Sequence, residues 1–120
     1  MRAFYGGVLG MTEIGKPAAL QARGGAWFRD AGVEVHVGIE EGFVPPVKAH
    51  PAFAVSDVAA LAARVTASGG AVTWDDSIPG LARFHTRDPA GNRLEFQEDR
   101  EASDAPAGPA AGPVTLVPAR

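Results

Sequence analysis

The chain contains no cysteine. That excludes disulfides, thiolate metal sites and cysteine nucleophiles, and it leaves the redox compartment open. Positive charge is not in excess either. Eleven Lys and Arg stand against 14 Asp and Glu, a formal net charge of −3. Nucleic acid and anionic membrane surfaces are therefore not expected as partners. No apolar run approaches the length of a membrane helix, and no signal-peptide pattern is visible. A cytoplasmic location is the resulting expectation. At 120 residues the chain reads as one domain. A chain of this size buries roughly two-thirds of its unfolded surface, enough for a true core.

The most informative stretch is Asp88-Pro89-Ala90-Gly91-Asn92-Arg93-Leu94-Glu95-Phe96. Pro89 fixes its own φ, and Gly91 and Asn92 tolerate positive φ, so the segment predicts a tight turn running into a strand. Along that strand Leu94 and Phe96 point one way, and Arg93, Glu95 and Gln97 the other. A carboxylate there is placed to serve as a metal ligand or a general base. Taken alone, such a Glu is more often simply solvated.

A weak internal repeat adds weight. Segment 2–11 reads as a short helix closed by Gly10. Segment 57–68 reads as a second helix, capped by Ser56 or Asp57, striped by Val58, Leu61, Ala62 and Val65, and ended by Gly69-Gly70. Gly10 and Gly69 lie 59 positions apart. So do Gly32 and Gly91, each preceding a strand, and so do His36 and Glu95. The second copy also opens with a strand, His50-Pro51-Ala52-Phe53-Ala54-Val55, whose counterpart would fall before Met1. The second copy is thus β-α-β-β-β, and the first lacks its opening strand.

The run Arg2-Ala3-Phe4-Tyr5-Gly6-Gly7-Val8-Leu9-Gly10-Met11, the strand from His50 and the turn-strand from Asp88 together resemble the vicinal oxygen chelate superfamily. This is the glyoxalase, bleomycin-resistance and extradiol dioxygenase group. The resemblance implies an α+β fold in which two βαβββ modules form a cupped, incompletely closed mixed sheet, with the first strand of module one absent from the chain. It places one domain at 1–99, with an incomplete module one at 1–41 and module two at 49–99. In metal-dependent members, ligands come from the first and last strands of each module. Carried over, these positions fall on His50, Glu95 and His36, and the fourth lies in the absent strand. Alternation independently sets these three opposite the apolar residues of their strands. Two imidazoles and a carboxylate suit a divalent Fe, Mn, Co, Ni or Zn. Glu95 would also be the catalytic base.

The other candidates concern substrate. His85 falls in an expected strand, 81–87, and Arg83 and Arg87 share its face. That trio could bind an anionic substrate or be a solvated cationic face. Trp27 and Trp74 could line the cup as stacking surfaces or pack ordinarily. Asp75-Asp76 reads as surface charge on a loop at the cup mouth. Residues 100–120 form a Pro/Ala/Gly-rich tail. The part from 101 to 113 could reach up to roughly 40 Å when extended, and 114–117 is a candidate short strand able to stand in for the missing one. The resemblance implies a small-molecule ligand and a homodimer. The leading expectation is a glyoxalase- or dioxygenase-like metal enzyme acting on a small oxygen-bearing chelator. The alternatives are a metal-free module that sequesters a small molecule, and a decayed member with neither activity.

Overall fold

The alternation read at 93–97 is realised in a strand that forms the spine of a five-stranded sheet. The structure is a computed structural model that describes residues 1–98 and the backbone of Leu116–Val117. In chain order it holds a short wide helix at Ala3–Val8, strand β1 (Thr12–Ile14), helix α1 (Ala18–Gln21) and strands β2 (Ala26–Asp30), β3 (Val33–Val37) and β4 (Ala52–Val55). Helix α2 (Val58–Ala67) follows, then β5 (Thr73–Trp74), β6 (Arg83–Arg87), β7 (Arg93–Glu98) and β8 (Leu116–Val117). The expected linker at 101–113 lies outside the described residues. Of the run 114–117, Leu116–Val117 is described.

The wide helix differs from an ordinary α-helix. The Leu9 N–H donates to the Phe4 carbonyl, five residues back, at 2.9 Å, the pattern of a π-type turn. It still buries Phe4 and Tyr5. Helix α2 forms as its sequence predicts. Asp57 is the cap, accepting from the Ala60 N–H at 3.0 Å, and Val58, Leu61, Ala62 and Val65 are buried on one face. At its end Gly69 has φ +90°, and a Cβ on Gly70 would come within 2.7 Å of a Val65 methyl. Two glycines in a row answer both demands.

Two sheets result. Strands β1-β2-β3 form an antiparallel meander. The second sheet runs β5-β6-β7-β4-β8, with β4 and β7 parallel and its other pairs antiparallel. The parallel pair follows from α2, which carries the chain back over the sheet between β4 and β5. The incompletely closed, mixed α+β sheet expected from the sequence is seen as two unclosed sheets: among the described residues the partner of β3 is β2, while β4 lies between β7 and β8. Phe84, Phe96, Leu94 and Val55 are buried on one face of the larger sheet and cluster with Val58, Leu61 and Val65 of α2. Phe28, stacked on Tyr5 at 5.5 Å, extends the same core into the first module. The opposite face of the larger sheet carries the polar residues.

Candidate metal centre

Strand pairing assembles the site. On β7, Glu95 is flanked on both sides: by Ala52 of β4 in the parallel ladder and by His85 of β6 in the antiparallel one. Paired residues share a face, so Glu95 and His85 project together. His50 lies two positions before Ala52 and keeps that facing, and the Glu95 N–H bonds the Pro51 carbonyl at 3.1 Å, holding the start of β4 in place. His50 Nε2 lies 3.1 Å and His85 Nε2 2.9 Å from the same carboxylate oxygen, Oε1 of Glu95. The imidazoles stand 5.2 Å apart at 79°. One ligand atom from each of the three residues lies within 4.8 Å of the others. Side-chain exposures of 23% for His50, 13% for His85 and 9% for Glu95 describe a sheltered group open on one side.

The hydrogen bonding of His50 is the decisive detail. Its Nδ1 is 2.6 Å from the Lys48 carbonyl, and a carbonyl only accepts, so Nδ1 carries its hydrogen. In a neutral ring Nε2 is then a lone pair, and it faces a carboxylate. Two acceptors face each other unless a cation, a proton or a metal, sits between them. An imidazole whose far nitrogen donates to a backbone carbonyl while Nε2 is held toward a carboxylate is arranged as metal-ligating histidines are. The donor set of two imidazole nitrogens and one carboxylate oxygen fits a divalent first-row metal.

Arg83 completes the surroundings. Its Nη1 donates to Glu95 Oε1 at 3.1 Å, and its Nη2 donates to Asp75 Oδ2 at 2.9 Å and to Ser77 Oγ at 3.1 Å. Asp75 is thereby more than surface charge; it anchors the guanidinium beside the carboxylate. Ser77 donates its N–H and its hydroxyl to Asp75, and these bonds hold the Asp75 carboxyl below its ordinary range. For Glu95, burial pushes the carboxyl up. The His50 hydrogen bond, the Arg83 charge and the His85 hydrogen bond outweigh burial and leave it below its ordinary 4.5. On acidification the unfolded chain therefore takes up this proton first. The Glu95 contribution to stability is full above about pH 4.5 and is lost as pH falls through the lower folded value. Wild type and Glu95→Gln should accordingly differ most in unfolding free energy above about pH 4.5, and the gap should narrow as the pH falls below that in urea titrations. A gap that widens on acidification would contradict this.

The structure brings together His50, Glu95, His85 and Arg83, and it sets His36, Trp27 and Trp74 elsewhere. His36 lies on β3 opposite Trp27, the rings stacked at 3.6 Å and 4°, on the face of the small sheet that turns away from Val35 and Val37. Trp74 pairs with Phe84 across β5–β6 and rests on its ring at 5.4 Å, on the face opposite Glu95. His85 belongs with the triad because it is the register partner of Glu95. The sequence carried one signal of this: a polar face shared by 83, 85 and 87 beside the polar face of 93, 95 and 97. Two clefts adjoin these elements. One of about 410 Å³ lies between the modules, lined by Val35, His36, Phe43, Pro51, Asn92 and Leu94 among others. A smaller one of about 260 Å³ lies on the triad's own face and is lined by Ala71, Thr73, His85, Thr86, Arg87 and Arg93.

Comparison with known proteins agrees with this architecture. No curated protein is matched by the sequence. Among solved structures, a glyoxalase family protein from Bacillus anthracis is similar at 43% identity, with 82% of this chain and 81% of that one covered and a TM-score of 0.77. A lactoylglutathione lyase from Agrobacterium tumefaciens shares the fold at 21% identity, 81% coverage of each chain and a TM-score of 0.61. The fosfomycin resistance protein FosX from Listeria monocytogenes does so at 17% identity, 83% coverage of each and a TM-score of 0.67. The family model for the Glyoxalase/Bleomycin resistance protein/Dioxygenase superfamily matches residues 1–96. The turn-strand from Asp88, the strand from His50 and the two-module build thus have one explanation: the chain belongs to the Glyoxalase/Bleomycin resistance protein/Dioxygenase superfamily.

Proposed function

We propose that this protein is a metal-dependent enzyme of the glyoxalase or dioxygenase kind. His50, His85 and Glu95 would hold one divalent ion, and a small substrate would chelate it through its oxygens. The observation that carries the reading is the facing of His50 Nε2 and Glu95 Oε1 at 3.1 Å while Nδ1 is committed to Lys48. A bound ion would supply Lewis-acid chemistry, polarising a substrate oxygen. The chain's own part is to orient the donors: Lys48 fixes the His50 ring, and Arg83, anchored on Asp75, fixes the carboxylate. Glu95 is also the proposed base. Relative to the sequence expectation, His85 takes the ligand place given to His36, and the small cleft on the triad's own face, lined by His85, is the proposed way in for substrate. The outer edge of β3 has no strand neighbour among the described residues, and a homodimer would cover it. No helix among the described residues is long and apolar enough to cross a membrane.

The test is thermal unfolding of EDTA-stripped protein titrated with Fe(II), Mn(II), Co(II), Ni(II) and Zn(II). Saturation at 100 times Kd stabilises the native state by about 2.7 kcal/mol, roughly 10–20 °C for a domain of this size. The shift should vanish in His50→Ala, shrink strongly in His85→Ala and survive in His36→Ala. No shift with any metal would sink the proposal. It would favour the second reading, a metal-free binding module, which the Arg83–Glu95 ion pair at 3.1 Å supports.

A further inference from the structure

Across β6 and β7, the pair next to His85 and Glu95 is Arg87 opposite Arg93. Two like charges directly opposite on one face of a sheet oppose its pairing. Neither guanidinium is neutralised by a carboxylate among the described residues. Arg87 Nη1 donates to the Gly91 carbonyl at 2.9 Å, and Arg93 Nη1 donates to the Lys48 carbonyl at 3.3 Å. Both line the small cleft that also contains His85. On this face three guanidiniums, Arg83, Arg87 and Arg93, stand against two carboxylates, Glu95 and Asp75, and Arg83 is already engaged by both.

We infer that the Arg87–Arg93 pair is an oxyanion subsite that receives a carboxylate or phosphoryl group on the far end of the substrate. The inference rests on the metal reading for the near end. Positions two apart along a strand are separated by roughly 7 Å, so the pair lies one step from the triad. The substrate class is a small chelating acid whose vicinal oxygens meet the metal and whose second anionic group lies a few bonds away. Guanidinium is suited to this because its fixed fork of donors pairs with planar or tetrahedral oxyanions, two bonds at a time. The repulsion between the two arginines, a cost to the empty fold, becomes favourable when an anion lies between them. Lys48 couples the two ends, since its carbonyl accepts from Arg93 and from the ligand His50.

The experiment uses full-length protein loaded with Co(II), read by the visible absorption bands of the ion. The probes are 2-hydroxyglutarate, 2-hydroxypentanoate, which lacks the distal carboxylate, and 2-hydroxy-4-phosphonobutanoate. Wild type should bind both doubly anionic probes about tenfold or more tightly than 2-hydroxypentanoate. Arg87→Gln and Arg93→Gln should each cut that preference about threefold to fivefold, and the double variant should abolish it with 2-hydroxypentanoate affinity unchanged. Arg87→Gln should also leave the melting temperature without ligand equal or higher, because repulsion is relieved; a merely structural arginine would lower it. Equal affinity for the probes in wild type, or a preference that survives in the double variant, overturns the subsite. Absence of Co(II) bands would instead overturn the metal reading. In that case calorimetry of 2-hydroxyglutarate against 2-hydroxypentanoate on the metal-free protein still decides whether the arginine pair binds anions.

Discussion

Glu95→Ala is expected to lower metal affinity by more than about 100-fold and to destabilise the metal-free protein by about 2–4 kcal/mol. The first effect follows from donor count. With the carboxylate gone, two neutral imidazoles remain, and a site stripped of its one anionic ligand loses more than a supporting residue would, which alone is worth about 10–100-fold. The second effect comes from what is left behind. Glu95 Oε1 is the common neighbour of His50 Nε2, His85 Nε2 and Arg83 Nη1, all within 3.1 Å. Its removal leaves the guanidinium and the two imidazoles without the carboxylate they converge on, in a pocket where the His50, His85 and Arg83 side chains are 23%, 13% and 15% exposed. Glu95→Gln separates the effects. Its carbonyl can still accept, so the cost to the apo fold should fall to about 1–2 kcal/mol, while metal binding should be lost as in Glu95→Ala. Metal titration followed by calorimetry, with urea unfolding of each apo variant, checks both. Equal metal affinity in wild type and Glu95→Gln would remove the carboxylate from the metal.

The second large effect lies outside the triad. Asp88→Ala should destabilise by about 3–5 kcal/mol, lowering the melting temperature by roughly 12–35 °C. Asp88 is 4% exposed and accepts four hydrogen bonds: from the Tyr5 hydroxyl at 2.7 Å, the Ala90 and Asn92 N–H groups at 3.0 and 2.9 Å, and Asn92 Nδ2 at 2.8 Å. It closes the turn into β7 and ties that turn to the helix of the first module. Burial and the Asp88 carboxylate together push the Tyr5 phenol far above its ordinary range, so the hydroxyl stays protonated and donates. Tyr5→Phe removes one donor of four and should cost only about 1–2 kcal/mol. A Tyr5→Phe loss as large as that of Asp88→Ala would place the energy in the inter-module contact rather than in the turn.

These residues also show what the sequence could and could not reveal. The turn at 88–92 was legible because Pro89, Gly91 and Asn92 each carry a backbone preference, and Gly91 has φ +89°. The facing of Glu95 was legible because strands alternate. The helix at 58–67 was legible from its cap and stripe. The place of His85 was not. Alternation assigns a residue to a face but says nothing about which strand lies beside it, and His85 meets Glu95 only through the β6–β7 register. The 59-residue repeat pointed to His36 because it matches positions within each module, and equivalent positions in two modules need not be neighbours in space. Asp75 looked like loop charge because nothing local shows that Arg83, eight residues on, folds back against it. The four-donor environment of Asp88 was hidden for the same reason: Tyr5 is 83 positions away.

The ladder that sets Ala52 beside Glu95 and Glu95 beside His85 has a consequence for how such a chain can change length. Side chains in a strand alternate with a period of two, so one residue inserted between His50 and Ala52, or inside β6 or β7 beside His85 or Glu95, would turn a donor through to the apolar side. The same insertion between α2 and β5 displaces no donor relative to another. Variation in chain length is therefore open over 68–72 and closed at 50–52, 83–87 and 93–95, and homologous chains that keep the chemistry should be in frame with one another at those places.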